Sequence, residues 1–566
     1  MRLTTIVATI GPASSSPDVL EKMIRAGVDV FRLNFSHGSP ETHKQSLDLV
    51  RQLARQTGRY VAVLQDLPGP KIRVGPLTGD TAELVTDSIV RIRRGAEPGD
   101  ARGFGSTYDA LVDDVRVGDT VLLSDGKLSL VVLEKTPEEA VCRVTVGGVI
   151  TSYAGINLPG VRVSSPAATE RDLEFLAWGI ANDVDYVALS FVRDADDIRR
   201  VKQFLHDRNS DIPVVAKIEK PEAVEHLAAI IEAADALMVA RGDLGVEMRL
   251  ETVPILQKRM IHMCMKARKP VITATQMLES MTEHAGPTRA EVSDVANAIL
   301  DGSDAVMLSG ETAVGRYPVQ VVHTMARIAE EADRYAADHH AEAPSPRHLQ
   351  LDPEALVSSS LTYSVKYLAE VLKPAVVVVS TASGYTARNL SKNQLPMPIL
   401  ALSPEERTCR RMSLYRGVVA DLVSGEETVD ELAAHAAQTI LARGLAREGA
   451  LFALIAGFPV GRAGTTNTIQ VRRLEPGHKL AEAGPRRARW TLTRGREVTS
   501  YAVDYVACIG CGVCVRRCPY GIFELSGERA VVNEENLPRC IGDRACVRGC
   551  PTGAISISTR PTGQSS

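Results

Sequence analysis

Charged and hydroxyl side chains stand at the ends of several short apolar runs, where a strand would end and a loop would begin. The set comprises Arg32, Asp66, Lys217, Glu219, Asp243 and Thr275. Carboxylates are hard oxygen ligands for Mg²⁺, and Arg and Lys neutralise the charge that develops on a transferring phosphoryl group. A single residue of this kind is more often a cap or a surface group. The hypothesis of phosphoryl transfer therefore depends on whether the fold brings the whole set together.

Cysteines form a second chemical group near the end of the chain. Cys508, Cys511, Cys514 and Cys518 precede Pro519 with the spacing of a bacterial-type ferredoxin. Thiolates at this spacing wrap a cubane cluster, and the fourth reaches a neighbouring cluster. A zinc site is the alternative, but the Cys-Pro ending and a second such run favour iron.

The second run has Asp543 where a cysteine would be expected, between Cys540 and Cys546, and it ends at Cys550 before Pro551. We expect one [4Fe–4S] cluster, held by Cys508, Cys511, Cys514 and Cys550. The second site would use Cys518, Cys540 and Cys546, with Asp543 as an oxygen ligand. Such a site could hold [3Fe–4S] or a [4Fe–4S] cluster with a labile iron.

The elements that position the first set alternate between β-rich runs and helical patterns. Eight strands are predicted, at Thr4–Ile10, Val28–Asn34, Tyr60–Asp66, Val184–Ser190, Pro213–Glu219, Ala236–Ala240, Pro270–Thr275 and Asp304–Ser309. Amphipathic stretches such as 169–180 and 253–267 lie between them. This alternation predicts an α/β fold with a TIM-type (β/α)8 barrel, whose active site lies at the carboxyl ends of the strands.

The remaining intervals predict further domains. The barrel would occupy residues 1–71 and 161–345, and the glycine-containing Val/Ile/Thr-rich interval 72–160 would be an inserted small β domain. A new α/β unit is expected over 350–475. Residues 476–500 lack a hydrophobic period and are interpreted as a linker. The cysteine module, an α+β ferredoxin-like domain, would fill 501–560.

Composition limits the function further. The formal net charge of −4 gives no indication of nucleic-acid binding, and the short basic cluster Arg486, Arg487 and Arg489 is interpreted as a solvated turn. No apolar run reaches transmembrane length and no leader pattern begins the chain, so we expect a cytoplasmic protein without a membrane partner. Three scattered cysteines, Cys142, Cys264 and Cys409, have the pattern of buried structural thiols.

Motifs throughout residues 1–475 are those of a known family. They are TIVATIGPAS from Thr5, RLNFSHG from Arg32, GPKIR from Gly69, NLPGV from Asn157, AKIE from Ala216, VARGDLGVE from Val239, ATQMLESM from Ala274, PTRAEVSDVANAIL from Pro287 and MLSGETAVG from Met307. In order and spacing the chain resembles a pyruvate kinase. The resemblance implies that the inserted β domain, a small β-barrel in that family, is a mobile lid over the barrel mouth.

The resemblance also implies an activity, the transfer of a phosphoryl group from phosphoenolpyruvate to ADP, which gives pyruvate and ATP. Glu219 and Asp243 would hold Mg²⁺ or Mn²⁺, which bridges the substrate carboxylate and phosphate. Lys217 would stabilise the phosphoryl group in flight and the enolate. Arg32 would hold the substrate phosphate.

Other roles follow from the same resemblance. Thr275 would lie near the enolate carbon within a water relay that protonates it. Backbone groups around Gly242 and Asp243 would hold the substrate carboxylate. The nucleotide phosphates would contact Asn34, His37 and Arg73.

A monovalent cation is the point at which the chain departs from the family. Family members that need K⁺ hold it with residues that match Asn34, Ser36, Asp66 and the backbone of Leu67. They carry Glu where this chain has Lys71, and Thr where it has Leu67. The Lys71 ammonium could supply the charge of K⁺, so we predict activity without K⁺. The alternative is that Lys71 points to solvent and K⁺ still binds.

A phosphate cradle is predicted in the 350–475 unit. Thr381, Ser383, Gly384 and Thr386 follow an apolar strand and precede a helical stretch, an arrangement that binds phosphate. Family members under allosteric control bind an effector phosphate in a similar place, and 457–467 is similar to the nearby effector loop. Sugar phosphates and nucleotides cannot be distinguished as the effector.

Three hypotheses remain open from the sequence. The first is an active pyruvate kinase, a homotetramer by family resemblance, which the clusters regulate through a redox partner. The second is an iron–sulfur electron carrier or redox sensor that uses a kinase scaffold. The third gives the clusters a purely structural role. The intact set of barrel residues favours the first hypothesis.

Overall fold

Eight short strands, all parallel, close into a barrel in a computed structural model of the chain. The structure describes all residues except 96, 340–352, 424–427, 458–465, 476–486, 495–496, 505–512, 519, 521, 527–528, 534–535, 537–538, 540–546, 548–554 and 562–566. The chain divides into two compact units, Met1–Pro476 and Gly477–Ser566.

The first part of the barrel carries three of its strands. Its elements are β1 (Thr5–Thr9), α1 (Pro17–Ala26), β2 (Val30–Asn34), α2 (Pro40–Thr57) and β3 (Ala62–Asp66). Strands β1 and β3 are buried along their whole length, as expected of parallel strands covered on both faces. Helix α2 begins in a capping box of Ser39 and Thr42 with Pro40 in its first turn, and it ends at Gly58 with φ 65°. These signals fix the start of the helix that follows the polar segment 34–37.

The inserted domain interrupts the barrel after β3, as predicted. Its elements are β4 (Thr81–Leu84), β5 (Ile89–Arg93), β6 (Gly103–Gly105), α3 (Leu111–Asp114), β7 (Thr120–Leu123), β8 (Leu128–Lys135), β9 (Glu139–Val146), β10 (Gly148–Thr151) and β11 (Ile156–Asn157). A six-stranded sheet in the order β11-β7-β8-β9-β5-β6 lies beside the pair β10-β4. Its own core includes Val90, Phe104, Leu130 and Ile150, so the domain has an independent hydrophobic interior.

The chain then returns to complete the barrel. The elements are α4 (Glu170–Ala181), β12 (Tyr186–Leu189), α5 (Ala195–His206), β13 (Val214–Ile218), α6 (Pro221–Glu225), α7 (Leu227–Ala233), β14 (Ala236–Ala240), α8 (Arg241–Glu247), α9 (Val253–Lys266), β15 (Val271–Ala274), α10 (Arg289–Leu300), β16 (Ala305–Leu308), α11 (Gly310–Ala313) and α12 (Pro318–His339). Short 3-10 turns occupy Leu250–Thr252 and Glu279–Thr282. The order β1-β16-β15-β14-β13-β12-β3-β2 confirms all eight predicted strands.

A second α/β layer follows the barrel within the same unit. It consists of α13 (Pro353–Leu372), β17 (Val376–Ser380), α14 (Tyr385–Ser391), β18 (Ile399–Ser403), α15 (Glu406–Met412), β19 (Val418–Leu422), α16 (Val429–Ala442), β20 (Leu451–Gly457) and β21 (Thr466–Arg473). The sheet order is β19-β18-β17-β20-β21, with β21 antiparallel to β20. Leu414, from the loop before β19, packs among the side chains that fill the barrel interior.

Buried ion pairs join this α/β layer to the barrel, with the basic residue on the layer and the acidic residue on the barrel. Lys392 donates to Asp304 at 2.6 Å, and both side chains are 1% exposed. Arg416 pairs with Asp333 at 2.9 Å. Asp333 also accepts bonds from the backbone of Leu3 and Thr4, at 2.6 and 2.8 Å, and therefore ties β1, α12 and the α/β layer together.

The second unit contains a three-stranded antiparallel sheet and a hairpin. Its described elements are β22 (Arg487–Arg494), β23 (Glu497–Asp504), α17 (Val513–Arg517), β24 (Phe523–Ser526), β25 (Arg529–Val532) and β26 (Ile555–Pro561). The sheet order is β22-β23-β26, and its core includes Val503, Cys514 and Ile555.

The linker prediction for 476–500 is wrong where the structure describes that interval. Arg487–Arg494 pairs in antiparallel register with Glu497–Asp504, from Arg487 opposite Asp504 to Arg494 opposite Glu497. The basic cluster is therefore not a turn, because Arg487 and Arg489 lie within a strand. Sheet pairing supplies the order that the missing hydrophobic period did not predict.

Within the described residues, no helix combines the length and the apolar character that crossing a bilayer requires. The three scattered cysteines behave as predicted. Cys142, Cys264 and Cys409 are buried and free, and burial raises the pKa of each thiol to about 12.

Replacing Asp333 tests the joint between the barrel and the α/β layer. Asp333→Ala leaves Arg416 buried without its carboxylate and removes the acceptor of two backbone N–H groups. We expect the free energy of unfolding to fall by about 3–5 kcal/mol, measured by urea denaturation. Asp338→Ala, at the exposed end of the same helix, should change it by less than about 0.5 kcal/mol. An Asp333→Ala variant as stable as Asp338→Ala would show that the joint does not stabilise the fold.

Candidate active site

Four charged side chains meet at the carboxyl ends of β2, β3 and β13. The Lys217 ammonium lies 2.9 Å from Glu219 Oε1 and 3.2 Å from Asp66 Oδ1. Arg32 Nε donates to the other oxygen of Asp66 at 2.6 Å. Asp66 and Glu219 have side chains only 1% and 2% exposed. The structure thus brings together four of the six residues predicted to act jointly.

The charges in this cluster stabilise one another against burial. Burial opposes the charged form of Lys217, but the carboxylates of Asp66 and Glu219 outweigh it and raise the pKa of Lys217. Burial likewise favours a neutral Asp66, but Lys217 and Arg32 hold its pKa below the usual value. The cluster therefore presents a permanent ammonium that cannot serve as a base at neutral pH.

Burial and neighbouring charges also act on Glu219, but their net effect on its pKa is opposite to that on Asp66. Burial raises the pKa of Glu219; Lys217 opposes the rise, and the negative charge of Asp243 adds to it. Its second oxygen accepts the backbone N–H of Phe191 at 2.8 Å. Glu219 and Asp243 are thus close enough to repel each other, which a cation between them would relieve.

These two carboxylates fit a magnesium ion. Mg²⁺ binds through one or two carboxylates and keeps its other positions for water and substrate oxygens. Among the described residues, no group of three or more His, Cys, Asp or Glu side chains converges as a metal site. Two carboxylates are a donor set of the size that Mg²⁺ uses in proteins.

Thr275 closes the opposite side of the barrel mouth in a strained conformation. Its φ of 66° lies in the left-handed region, which β-branched residues rarely adopt. Its hydroxyl accepts the Gly242 N–H at 2.8 Å and donates to Ala274 O at 2.6 Å. Arg241 donates to Thr275 O at 2.7 Å and is itself held by Asp294 at 2.6 Å. The threonine hydroxyl is therefore fixed in place by its neighbours.

The predicted nucleotide residues lie beside this centre. Asn34 Oδ1 accepts the Ser36 N–H at 3.2 Å, and Arg73 donates to Tyr153 O at 3.0 Å. Burial lowers the pKa of His37, and the charges of Arg73, Lys71 and Arg32 lower it further. A neutral imidazole surrounded by three cations is suited to a polyanion.

A crevice separates the inserted domain from the barrel next to these residues. It is lined by Lys71, Asp125, Asn157, Arg193, Lys220 and Asp243, with Phe191 and several apolar side chains. Lys71 is exposed at its edge. Asp66 and Leu67, two predicted K⁺ ligands, are already engaged, since Leu67 O accepts the Ser190 hydroxyl at 2.7 Å.

Two residues of the site were given no role by the sequence analysis. Ser190 Oγ accepts the Lys217 ammonium at 2.6 Å, and Arg241 holds Thr275. Ser190 ends the fourth predicted strand and could have been found by the strand-end pattern that identified Lys217. Arg241 follows the sixth strand, but its partner Asp294 is distant in sequence and gave no signal.

The predicted effector residues form a turn at the start of α14. Thr381 Oγ1 accepts the Gly384 N–H at 3.0 Å, and the Thr386 hydroxyl lies 3.0 Å from that of Thr466. Ser383 lies in the same turn. Most of the neighbouring loop, 458–465, lies outside the described residues.

The predicted iron ligands are only partly described. Cys514 is 6% exposed in the core of the second unit, and Cys518 donates its backbone N–H to Cys514 O at 3.1 Å. The two cysteines are one helical turn apart along the chain, which is compatible with their serving as ligands of two different clusters. Cys508, Cys511, Cys540, Asp543, Cys546 and Cys550 lie outside the described residues.

A buried ammonium between two carboxylates lies at the mouth of a parallel (β/α)8 barrel, the end at which enzymes of this fold class have their active sites. Comparison with family models makes this specific. Residues 1–322 match the pyruvate kinase barrel domain, 359–472 the pyruvate kinase alpha/beta domain, and 500–559 a 4Fe-4S dicluster domain. The chain belongs to the pyruvate kinase family and carries an iron–sulfur module.

Individual relatives agree. Pyruvate kinases of Staphylococcus aureus strains USA300 and NCTC 8325 are each 43% identical over 477 residues, which is 83% of this chain and 80% of theirs. A crystal structure of a pyruvate kinase from Cryptosporidium parvum superposes with a TM-score of 0.77 at 33% identity. It covers 84% of this chain and 96% of its own.

Removing the Ser190 hydroxyl tests how Lys217 is held. Ser190→Ala removes the neutral acceptor of the Lys217 ammonium and leaves both carboxylates in place. We therefore expect the ammonium to move toward Asp66 and Glu219. A hydrogen bond to a charged group contributes about 1.5–3 kcal/mol, which corresponds to a kcat lower by about 10- to 150-fold. Steady-state kinetics would measure this, with Ser46→Ala on the outer face of α2 as the matched control. A kcat unchanged in both variants would contradict the role of Ser190.

Proposed function

We propose that this chain catalyses phosphoryl transfer from phosphoenolpyruvate to ADP, forming pyruvate and ATP. The observation that carries the proposal is the Lys217 ammonium, held at 2.9 Å from Glu219 and 3.2 Å from Asp66 at the barrel mouth. In this family context the complete set of charged residues favours an enzyme over a scaffold that only carries clusters.

Lys217 and Arg32 provide the positive charge for transfer. As a β-phosphate oxygen of ADP forms its bond to phosphorus, the bond from phosphorus to the enolate oxygen breaks. Negative charge then develops on the phosphoryl oxygens and on the enolate. Lys217 stabilises both, and Arg32 orients the substrate phosphate, because each is already fixed by a buried carboxylate and needs little reorganisation.

Glu219 and Asp243 would hold the divalent ion, Mg²⁺ or Mn²⁺. When bound, this ion supplies charge neutralisation between the substrate carboxylate and phosphate. The two carboxylates contribute their position, since Glu219 is fixed by Lys217 and by the Phe191 N–H. The Gly242 N–H already donates to Thr275, so the neighbouring backbone around Asp243 is left to hold the substrate carboxylate.

Thr275 supports the protonation that completes the reaction. The enolate gains a proton at its terminal carbon and becomes pyruvate. The Thr275 hydroxyl is fixed by Gly242 and Ala274 and would order the water that delivers this proton. Asn34, His37 and Arg73 would bind the ADP phosphates in the adjoining crevice.

We further propose that the reaction does not require K⁺. Asp66 is neutralised by Arg32 and Lys217, and the Leu67 carbonyl accepts Ser190, so two of the predicted ligands already have partners. Lys71 lies near enough to His37 for its charge to add to the effects of burial and of Arg73, which lower the pKa of His37. Asn34 then serves the nucleotide phosphates alone.

The iron–sulfur module is proposed to regulate the kinase through its redox state. One [4Fe–4S] cluster would use Cys508, Cys511, Cys514 and Cys550. Cys518, Cys540 and Cys546, with Asp543, would hold a [3Fe–4S] cluster or a [4Fe–4S] cluster with a labile iron. Thiolate ligation is consistent with a reducing, cytoplasmic location and with an external redox partner.

Assembly and allosteric control are proposals of the same kind. Large apolar side chains are exposed on the barrel at Leu250, Ile255 and Val314, and on α13 at Tyr367 and Val371. Such surfaces are suited to burial between copies, which supports a homotetramer. A phosphorylated effector would bind near Thr381, Ser383, Gly384 and Thr386.

A lactate-dehydrogenase-coupled assay on the anaerobically reconstituted full chain tests the activity and its cation requirement. We expect pyruvate formation with ADP, phosphoenolpyruvate and Mg²⁺ to be equally fast in KCl and in tetramethylammonium chloride. Lys71→Glu should lose at least tenfold without K⁺ and recover in part with it, because the local positive charge is then absent. Repeating the assay with oxidised and reduced clusters tests the redox proposal.

Failure of the wild-type chain to form pyruvate would contradict the kinase, whatever the cation. A wild-type rate that rises strongly with K⁺, together with an unaffected Lys71→Glu variant, would contradict the role of Lys71. Lys127→Glu, a charge reversal elsewhere in the inserted domain, is the control for a general effect of charge.

A further inference from the structure

One buried carboxylate next to the active site has partners on both the barrel and the inserted domain. The Glu247 side chain is 1% exposed, and its Oε1 accepts the Lys220 ammonium at 2.6 Å. The same oxygen accepts the Asn157 side-chain amide at 3.0 Å. Its Oε2 is buried without a hydrogen-bond partner. Glu247 is therefore committed to these two donors.

The three residues occupy informative places in the fold. Asn157 ends β11, the strand through which the chain leaves the inserted domain. Lys220 directly follows Glu219, and Glu247 lies four residues after Asp243, which is one turn along α8. Asn157 and Lys220 also line the crevice together with Asp243.

From these contacts we propose that Asn157, Lys220 and Glu247 form a latch that holds the inserted domain against the barrel and sets the width of the crevice proposed to bind the nucleotide. Glu247 is a positioning residue in this latch, since its partners are protein side chains. The latch itself does not depend on the proposed function. Only its expected effect on the KM for ADP rests on that function.

Charge explains why the latch needs Lys220. Without the ammonium, Glu247 would be a buried carboxylate without a positive partner near Glu219 and Asp243, and it would compete with them for the divalent ion. With Lys220 in place, Glu247 instead connects the segments that carry these two residues. The distance between the two predicted metal ligands and the position of the inserted domain are thus coupled through one carboxylate.

The β7–β8 turn of the inserted domain also approaches α8 beside the latch. A Cβ placed on Gly126, in the β7–β8 turn of the inserted domain, would lie 3.7 Å from Val246 Cγ1 on α8. Strand β7 also pairs with β11, with Leu122 opposite Asn157. Loss of the Asn157 bond should therefore loosen β7 as well as β11.

Hydrogen–deuterium exchange on the full reconstituted chain, without substrates, tests the latch directly. Asn157→Ala removes the bond from the inserted domain and keeps the pair of Lys220 and Glu247. We expect amides of residues 120–123 and 156–157 to exchange at least threefold faster. The KM for ADP should rise about tenfold, as expected for loss of a hydrogen bond to a carboxylate, with kcat within threefold of wild type.

Thr145→Ala is the matched control. It removes another side-chain hydrogen bond of the same domain, to Ser129 O, and should change neither the exchange rates nor the KM for ADP.

An exchange of chemical groups makes the test specific. Asn157→Asp should raise the exchange rates of the same amides further than Asn157→Ala, because the carboxylates of residue 157 and Glu247 then repel each other. Combining it with Glu247→Gln exchanges amide and carboxylate, restores one hydrogen bond and leaves a carboxylate for Lys220, so exchange rates should return toward wild type. Unchanged exchange in Asn157→Ala, or a combined variant as open as Asn157→Asp, would overturn the latch. A chain without kinase activity would contradict the proposed function, and the exchange results would still decide the latch.

Discussion

An ammonium buried at the mouth of a barrel must be compensated by anions, and the active-site region is organised around this requirement at Lys217. Asp66 approaches it from the end of β3 and Glu219 from the end of its own strand, β13. Ser190, at the end of β12 between these two strands, accepts a third hydrogen. Asp66 in turn fixes Arg32. Two cations are thereby held in place by the protein itself, and Glu219 is fixed by Lys217 and by the Phe191 N–H. The same contacts therefore stabilise the buried charge and preorganise the site for phosphoryl transfer.

Charge is used differently at the two ends of the barrel. At the carboxyl ends of the strands, Lys217, Asp66, Glu219 and Arg32 form a compact cluster of alternating charge at the barrel mouth. At the other end, Lys392 with Asp304 and Arg416 with Asp333 form buried pairs that join the barrel to the α/β layer. Breaking a pair of this second kind leaves a buried charge without compensation. The α/β layer is consequently attached to the barrel by contacts that favour one relative position.

Sequence predicted the parts of the fold that follow from local patterns. All eight barrel strands were predicted because parallel strands buried on both faces are short apolar runs, and the strand-end rule found Lys217 and Asp66. The same rule applied to 184–190 would have given Ser190. The left-handed backbone of Thr275 and the contact of Asn157 with Glu247 depend on tertiary placement, which no local pattern encodes. Strand Arg487–Arg494 was missed because its order comes from pairing with Glu497–Asp504 and not from a hydrophobic period.

The most direct measurement is pyruvate formation by the full chain and by Lys217→Met, compared at saturating phosphoenolpyruvate, ADP and Mg²⁺, with circular dichroism to show that both are folded. Removing the charge that stabilises the transferring phosphoryl group predicts a kcat at least about 10³-fold lower in the variant. A folded Lys217→Met variant that turns over within tenfold of the wild type would contradict the account, because the compensated ammonium would then have no part in the chemistry.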